Sequence, residues 1–444
     1  AHPGSEGIEG SYTSRIIFVG GGSLPDFCAE FPLGNLRPRI HNVGAPWQSA
    51  ERAQSLHRDY DTLPLHRLAL LLPLLTLQAC ASSEVPLGQV SFAEYRQQTL
   101  VWLEQNRTFQ TGDHATELEW NAPREWRPSG IAKRAILLVH GLGDSPWSFN
   151  DVGQTLADQG FLVRTVLLPG HGSKPSDMLD VTLRQWQQVV REQTQIMQRE
   201  VPTVYLGGFS TGANLVLDYA YEHSEIAGLV LFSPAFRPEN TYAWLTQYIG
   251  WFRPWLAKPN DGIRPMQTPV RYLNVPTNGF AQFYRSSLLA QDHIQARPYD
   301  KPVFIAITQH DSVLDTAYVL DTFNARFSNA ASRLIWYGDS PAAAAKTPRV
   351  EVRNDYLPEY RIAQFSHMGL MFSPTDPLYG KDGSQRICWN GQETAQMQKC
   401  LNGEPVWYSD WGHREPGKVF ARLTFNPYYE WQTAVMMGVL GAAK

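Results

Sequence analysis

The amino-acid sequence predicts an α/β fold, a mostly parallel sheet flanked by helices on both faces. Three observations predict it. Short continuous apolar runs recur at residues 135–139, 161–167, 203–209, 227–232, 302–307 and 333–337, and such runs fit strands that are buried on both faces. Segments of helical period separate several of them. The run ending at Phe209 also passes straight into a helical pattern through Gly208-Phe209-Ser210-Thr211-Gly212.

Composition narrows the function classes. With 444 residues, 43% hydrophobic and 18% charged, the chain has the makings of a real core, not of a disordered segment. A formal net charge of −4 gives no electrostatic case for nucleic acid. Aromatic residues are abundant (14 Trp, 19 Tyr, 20 Phe), which fits either core packing or an apolar substrate cleft. The four cysteines have no metal-site spacing. Cys388 and Cys400 lie close together in a loop-like region, and in an oxidising compartment they are expected to pair.

Residues 1–62 are rich in Gly, Pro and Arg, show no sustained period and contain no methionine; the first methionine of the chain is Met178. They read as upstream sequence, or as an arm that packs on the rest of the chain, with Cys28 paired to Cys80. Residues 63–80 read as an export signal: His66-Arg67, a short apolar run, and Leu77-Gln78-Ala79-Cys80. The run is too short to span a bilayer as a helix. Its ending resembles the bacterial lipobox, which makes Cys80 the lipidated first residue of the mature protein. The bland alternative is a buried helix that ends in Cys. Leu63 is the expected start of this signal, and a chain beginning at Ala81 is expected to fold and to be active.

Residues 81–133 begin as a polar tether and continue, from Val90 to Gln110, as a helix placing Phe92, Tyr95, Leu100 and Leu103 on one side. The alternating strands and helices occupy residues 134–444. After the first run, Phe149, Val152 and Leu156 stand at helical spacing, and a helix from Thr182 turns Leu183, Trp186, Val190 and Met197 inward. Residues 233–300 break the rhythm with Trp244, Leu245, Tyr248, Ile249, Trp251, Phe252, Trp255 and Leu256 crowding one side of a short helix. They read as a cap or, less simply, as further core. The run at 333–337 is the last major strand expected. Insertions follow at 338–360 and 372–426, and residues 428–440 read as a closing helix.

The pentad at 208–212 has the layout of a nucleophile elbow, in which a serine is forced onto a tight strand-to-helix turn. Small residues two before and two after it avoid a clash across the turn. A serine hydroxyl needs a base, and the base needs a carboxylate to hold its tautomer. The histidines after Ser210 are His223, His293, His310, His367 and His413. His367, in Ser366-His367-Met368-Gly369 beyond the last run, is the best base, with His413 in reserve. His310 abuts Asp311 too closely to serve as its partner. Asp311, just past the run at 302–307, is the favoured acid, ahead of Asp315 and Asp339. Backbone N–H donors for an oxyanion are expected from Thr211 and from Leu142, with Gly141 allowing the turn. His140 reads as a structural hydrogen-bonder.

Taken together, His140-Gly141-Leu142-Gly143, Pro169-Gly170-His171-Gly172, the 208–212 pentad, His310-Asp311 and Ser366-His367 resemble the monoacylglycerol lipase and bacterial carboxylesterase branch of the α/β-hydrolases. The resemblance spans roughly residues 134–371. It implies an α/β-hydrolase fold, the order serine, acid, histidine, and a serine ester hydrolase needing no metal or organic cofactor. The chain departs from the family in the long segment before His367 and in the cysteine-bearing insertion after it. The expected protein is an exported, lipid-anchored esterase of the bacterial periplasm or cell envelope acting on a small-molecule or lipid acyl ester. Two rivals stay open: a peptidase or acyltransferase on the same triad, and a non-catalytic binding protein that keeps the fold.

Overall fold

The apolar runs form one eight-stranded sheet in the order β1-β3-β2-β4-β5-β6-β7-β8. The strands are β1 (Glu125–Trp126), β2 (Arg134–Val139), β3 (Phe161–Val166), β4 (Thr203–Phe209), β5 (Leu229–Phe232), β6 (Val303–Thr308), β7 (Arg333–Tyr337) and β8 (Val350–Arg353). Only β1 runs antiparallel, against β3; every other pairing is parallel. The computed structural model describes residues 86–259, 262, 264–341 and 347–441. The segment 1–62, the signal-like run 63–80 with Leu63 and Cys80, and the start of the tether lie outside the described residues.

Continuous apolar strands are explained by what covers each face. Along β2, Ala135, Leu137 and Val139 join one core, whereas Ile136 and Leu138 join the other. The first face is covered by α1 (Phe92–Asn106), α4 (Leu183–Glu200), α5 (Thr211–Glu222), the later turns of α7 (Thr277–Ala296) and α8 (Thr316–Arg326). The second is covered by α3 (Asn150–Asp158) and α10 (Tyr429–Gly441). Helix α4 starts where Thr182 and Gln185 form a reciprocal capping box, and it buries Trp186, Val190 and Met197. Helix α1 buries Phe92, Tyr95 and Leu103. Helix α2 (His114–Asn121) is held to it by a buried Arg107–Glu117 ion pair, and Arg107 also bonds the Gly172 and Pro269 carbonyls.

One expectation needs correction. The sheet does not end at Tyr337, because β8 extends it inside the segment read as the insertion 338–360. Val350-Glu351-Val352-Arg353 is only half-buried throughout, so it lacks the apolar run that marks the inner strands. The segment read as a cap carries several of its aromatics at the surface. Helix α6 (Thr246–Ile249) has four residues, and Trp251 (83%) and Phe252 (88%) are almost fully exposed, with Trp244 and Tyr248 also open to solvent.

The insertion 372–426 carries α9 (Thr394–Leu401) and a small parallel pair, β9 (Trp407–Ser409) with β10 (Phe420–Arg422). Cys388 and Cys400 are bonded there, at an S–S distance of 2.03 Å. Around the disulfide sit Met397, Val406 and Ala421, a small core separate from the two that line the sheet.

Candidate active site

Ser210 sits between β4 and α5 with φ 54° and ψ −116°, a left-handed-side backbone that is costly for a residue with a side chain. The flanking glycines show why the turn can be so tight. A Cβ at Gly212 would lie 2.0 Å from the Val139 carbonyl oxygen, and one at Gly208 would lie 2.5 Å from the backbone of Gly212 and Ala213. Both positions therefore exclude any side chain. The strained turn lifts the serine hydroxyl off the sheet, at the positive end of α5.

Three loops at the C-terminal ends of parallel strands converge on it, as ligand sites in such sheets do. His367, on the loop beyond β8, places Nε2 3.0 Å from Ser210 Oγ. Its Nδ1 lies 2.7 Å from Asp311 Oδ2, on the loop after β6. The Asp311 side chain is fully buried, and its other oxygen accepts the N–H groups of Val313 and Leu314. Ser233 donates its hydroxyl to the His367 carbonyl at 2.8 Å, bracing the histidine from β5. This is a continuous Ser-His-Asp relay, with the imidazole able to accept from serine while donating to the carboxylate.

The remaining candidates stand elsewhere. Asp315 caps α8 by accepting the Tyr318 N–H and pairs with Arg237. Asp339 is exposed at the end of β7, His310 lies 3.7 Å from Asp355, and His413 pairs with Glu415. His223 pairs with Glu225, and His293 with Asp218.

The loop after β2 faces the elbow closely: a Cβ on Gly141 would stand 3.1 Å from Ser210 Cβ. Within it the Gly143 N–H goes to His171 Nε2 and the Asp144 N–H to the Gly141 carbonyl. Leu142 directly precedes these two occupied donors. Thr211 is the first residue of α5, where an N–H has no intrahelical acceptor. These are the two amides expected from sequence to meet an oxyanion above Ser210.

Two buried histidines hold that loop. His140 Nδ1 donates to the Gly141 carbonyl while Nε2 accepts the Leu168 N–H. His171 Nδ1 donates to Pro169, and its ring lies edge-to-face with His140 at 4.8 Å. Burial pushes His140 down to about 4 and His171 down to about 3, so both rings are neutral and their acceptor nitrogens are available. A histidine depressed in the fold takes its proton first in the unfolded chain. Its contribution to stability is present above pH 6.5 and is lost as pH falls toward the folded value. For His171 this loss amounts to ~2 kcal/mol between pH 7 and pH 5. His171→Gln keeps an acceptor for Gly143 without the titration, so its Tm should fall less than wild type's over that interval. Equal falls by calorimetry would show that His171 does not titrate this way.

Sequence reasoning missed Ser233 and the role of His171. The Pro169–Gly172 motif was the visible trace of His171. Ser233 acts through a backbone contact between distant segments and leaves no local pattern.

Comparison with known proteins finds partial likenesses. The family described as serine aminopeptidase, S33, matches residues 130–339, which includes the elbow and Asp311 and stops before His367. A thermostable monoacylglycerol lipase of Bacillus sp. (strain H-257) is 27% identical over 179 residues, 40% of this chain and 71% of that protein. Monoglyceride lipase of Rattus norvegicus is 30% identical over 117 residues, where the match spans only 38% of that relative. Among solved structures, one of the metagenome-derived lipolytic enzymes LipS and LipT aligns with 50% of this chain and 89% of its own, at 20% identity and a TM-score of 0.42. The soluble variant of Saccharomyces cerevisiae monoglyceride lipase covers 50% of this chain and 83% of its own, at 17% identity and a TM-score of 0.39.

Proposed function

We propose that this chain, an α/β-hydrolase of the monoacylglycerol lipase and carboxylesterase branch, cleaves acyl esters through an acyl-enzyme on Ser210. The observation that carries the reading is the relay Ser210–His367–Asp311, with contacts of 3.0 and 2.7 Å. As Ser210 Oγ attacks the ester carbonyl, His367 Nε2 takes its proton and Asp311 stabilises the imidazolium. The Leu142 and Thr211 N–H groups receive the developing oxyanion. His367 then returns the proton to the leaving alkoxide, and a water it activates releases the acid. Apart from that water, the steps use groups of the chain itself.

An apolar acyl substrate suits the aromatic cap. The same reading places the chain in the cell envelope of a bacterium, anchored by lipid at Cys80. The Cys388–Cys400 bond supports an oxidising compartment, and the lipobox-like Leu77-Gln78-Ala79-Cys80 supports the anchor. No helix among the described residues is long and apolar enough to cross a membrane.

Peptidase chemistry is the competing reading, favoured by the name of the matching family. Labelling with a fluorophosphonate, followed by turnover of acyl esters of increasing chain length and of aminoacyl amides, separates the possibilities. The expected result is stoichiometric label on Ser210 and ester turnover exceeding amide turnover by orders of magnitude. Faster amide turnover would give the site to a peptidase. Absence of labelling in folded protein would leave a non-catalytic binding protein.

A further inference from the structure

Asp410 is fully buried on the loop that follows β9, inside the insertion that the family resemblance does not cover. Its two carboxylate oxygens point at two different catalytic loops. Oδ2 accepts the backbone N–H of Ser312 at 2.7 Å, and Oδ1 accepts the backbone N–H of His367 at 3.3 Å. Ser312 directly follows Asp311, so one side chain touches the backbone of the base and the backbone adjoining the acid. A carboxylate suits this place because both oxygens face donors.

We propose that Asp410 is a positioning residue, clamping the His367 loop to the Asp311 loop so that the base and its acid keep their 2.7 Å contact. No strand pairing does this. The acid loop leaves β6 and the histidine loop comes after β8, with β7 lying between them.

The clamp is itself supported. Asn390 donates to the Asp410 carbonyl and to Ser409 Oγ at 3.1 and 3.0 Å, and Arg422 Nε donates to Asn390 Oδ1 at 2.6 Å. Burial pushes the Asp410 carboxyl above its ordinary range, and the nearby Arg422 charge opposes that push. Asn390 lies two residues beyond Cys388, so the disulfide loop anchors the chain. The insertion is also stitched to the histidine loop directly. Tyr408 donates its N–H to Arg361 and accepts that of Ala363, and Ser366 Oγ donates to the Leu423 carbonyl at 2.6 Å. The insertion thus reads as part of the catalytic apparatus and not as a decoration on the surface.

This inference rests on the ester-hydrolase reading, and the test separates the two. Asp410→Asn keeps the volume but turns an NH₂ group toward one of the two N–H donors. With a soluble ester, kcat should fall about 10- to 100-fold while KM stays within about two-fold, the signature of misplaced catalytic groups. Fluorophosphonate labelling of Ser210 should slow in step. Val439→Ala, a cavity in α10, is the control for lost stability: at a comparable drop in Tm it should keep kcat. Wild-type kcat in Asp410→Asn, or an equal loss in Val439→Ala, overturns the clamp. Should Asp410→Asn not fold, Arg422→Lys gives up the Nε bond to Asn390 while keeping the charge. Its kcat should fall by a smaller factor, and no change there also overturns the proposal. A failure of the ester-hydrolase reading looks different: the wild type would then turn over aminoacyl amides faster than esters, or take no fluorophosphonate label.

Discussion

Ser210→Ala is expected to lower ester turnover by roughly 10⁴- to 10⁶-fold, to the level the oxyanion donors and binding alone can supply. The hydroxyl is the only group removed, and in the proposed mechanism its oxygen forms the acyl-enzyme. Alanine has the same Cβ and so meets the same backbone strain at φ 54°. The fold loses one hydrogen bond, to His367 Nε2, worth about 1 kcal/mol net. Tm should therefore shift by only a few degrees while activity and fluorophosphonate labelling vanish. Activity measured on purified variant, with Tm from calorimetry, checks both halves. Turnover within about tenfold of wild type would remove Ser210 from the chemistry.

The elbow could be read from sequence because its constraints are local. A Cβ at Gly208 or Gly212 would meet backbone atoms across the turn at 2.0–2.5 Å, so the chain has to show glycine there, and the buried strand before it has to show an apolar run. The inner strands were legible for the same reason, each being covered by helices on both faces. The edge strand β8 was not. With Glu351 and Arg353 alternating against two half-buried valines, it shows the pattern of a surface segment. The aromatics at Trp251 and Phe252 left cap and core both open from sequence, because apolar character states a preference and not an outcome; in the structure both are exposed.

Ser210, Asp311 and His367 could be chosen in order because each follows a strand. Asp410 could not, since its partners lie 43 and 98 residues away and are backbone amides, which any sequence can supply. The same holds for Ser233, 134 residues from the carbonyl it braces. What the sequence hid is therefore the support of the triad more than the triad.

Asp311→Asn tests the middle of the relay, and it is expected to lower kcat by roughly 10³- to 10⁴-fold. The argument turns on a tautomer. Asp311 Oδ2 accepts from His367 Nδ1 at 2.7 Å, which leaves Nε2 without a proton and able to take one from Ser210. Asparagine can keep its oxygen toward the Val313 and Leu314 N–H groups, as Asp311 Oδ1 does now. Its NH₂ group then faces His367 Nδ1 and donates to it. The proton moves to Nε2, so the imidazole meets Ser210 as a donor and cannot act as its base. Because the two backbone bonds survive, Tm should change little, and the loss should appear in kcat with KM nearly unchanged. Asp315→Asn is the matched control one turn along. Asp315 caps α8 and pairs with the half-exposed Arg237, and asparagine caps a helix about as well as aspartate, so its kcat should stay near wild type. If Asp315→Asn is the inactive variant and Asp311→Asn the mild one, the acid belongs at position 315 and the contact between Asp311 and His367 is only structural.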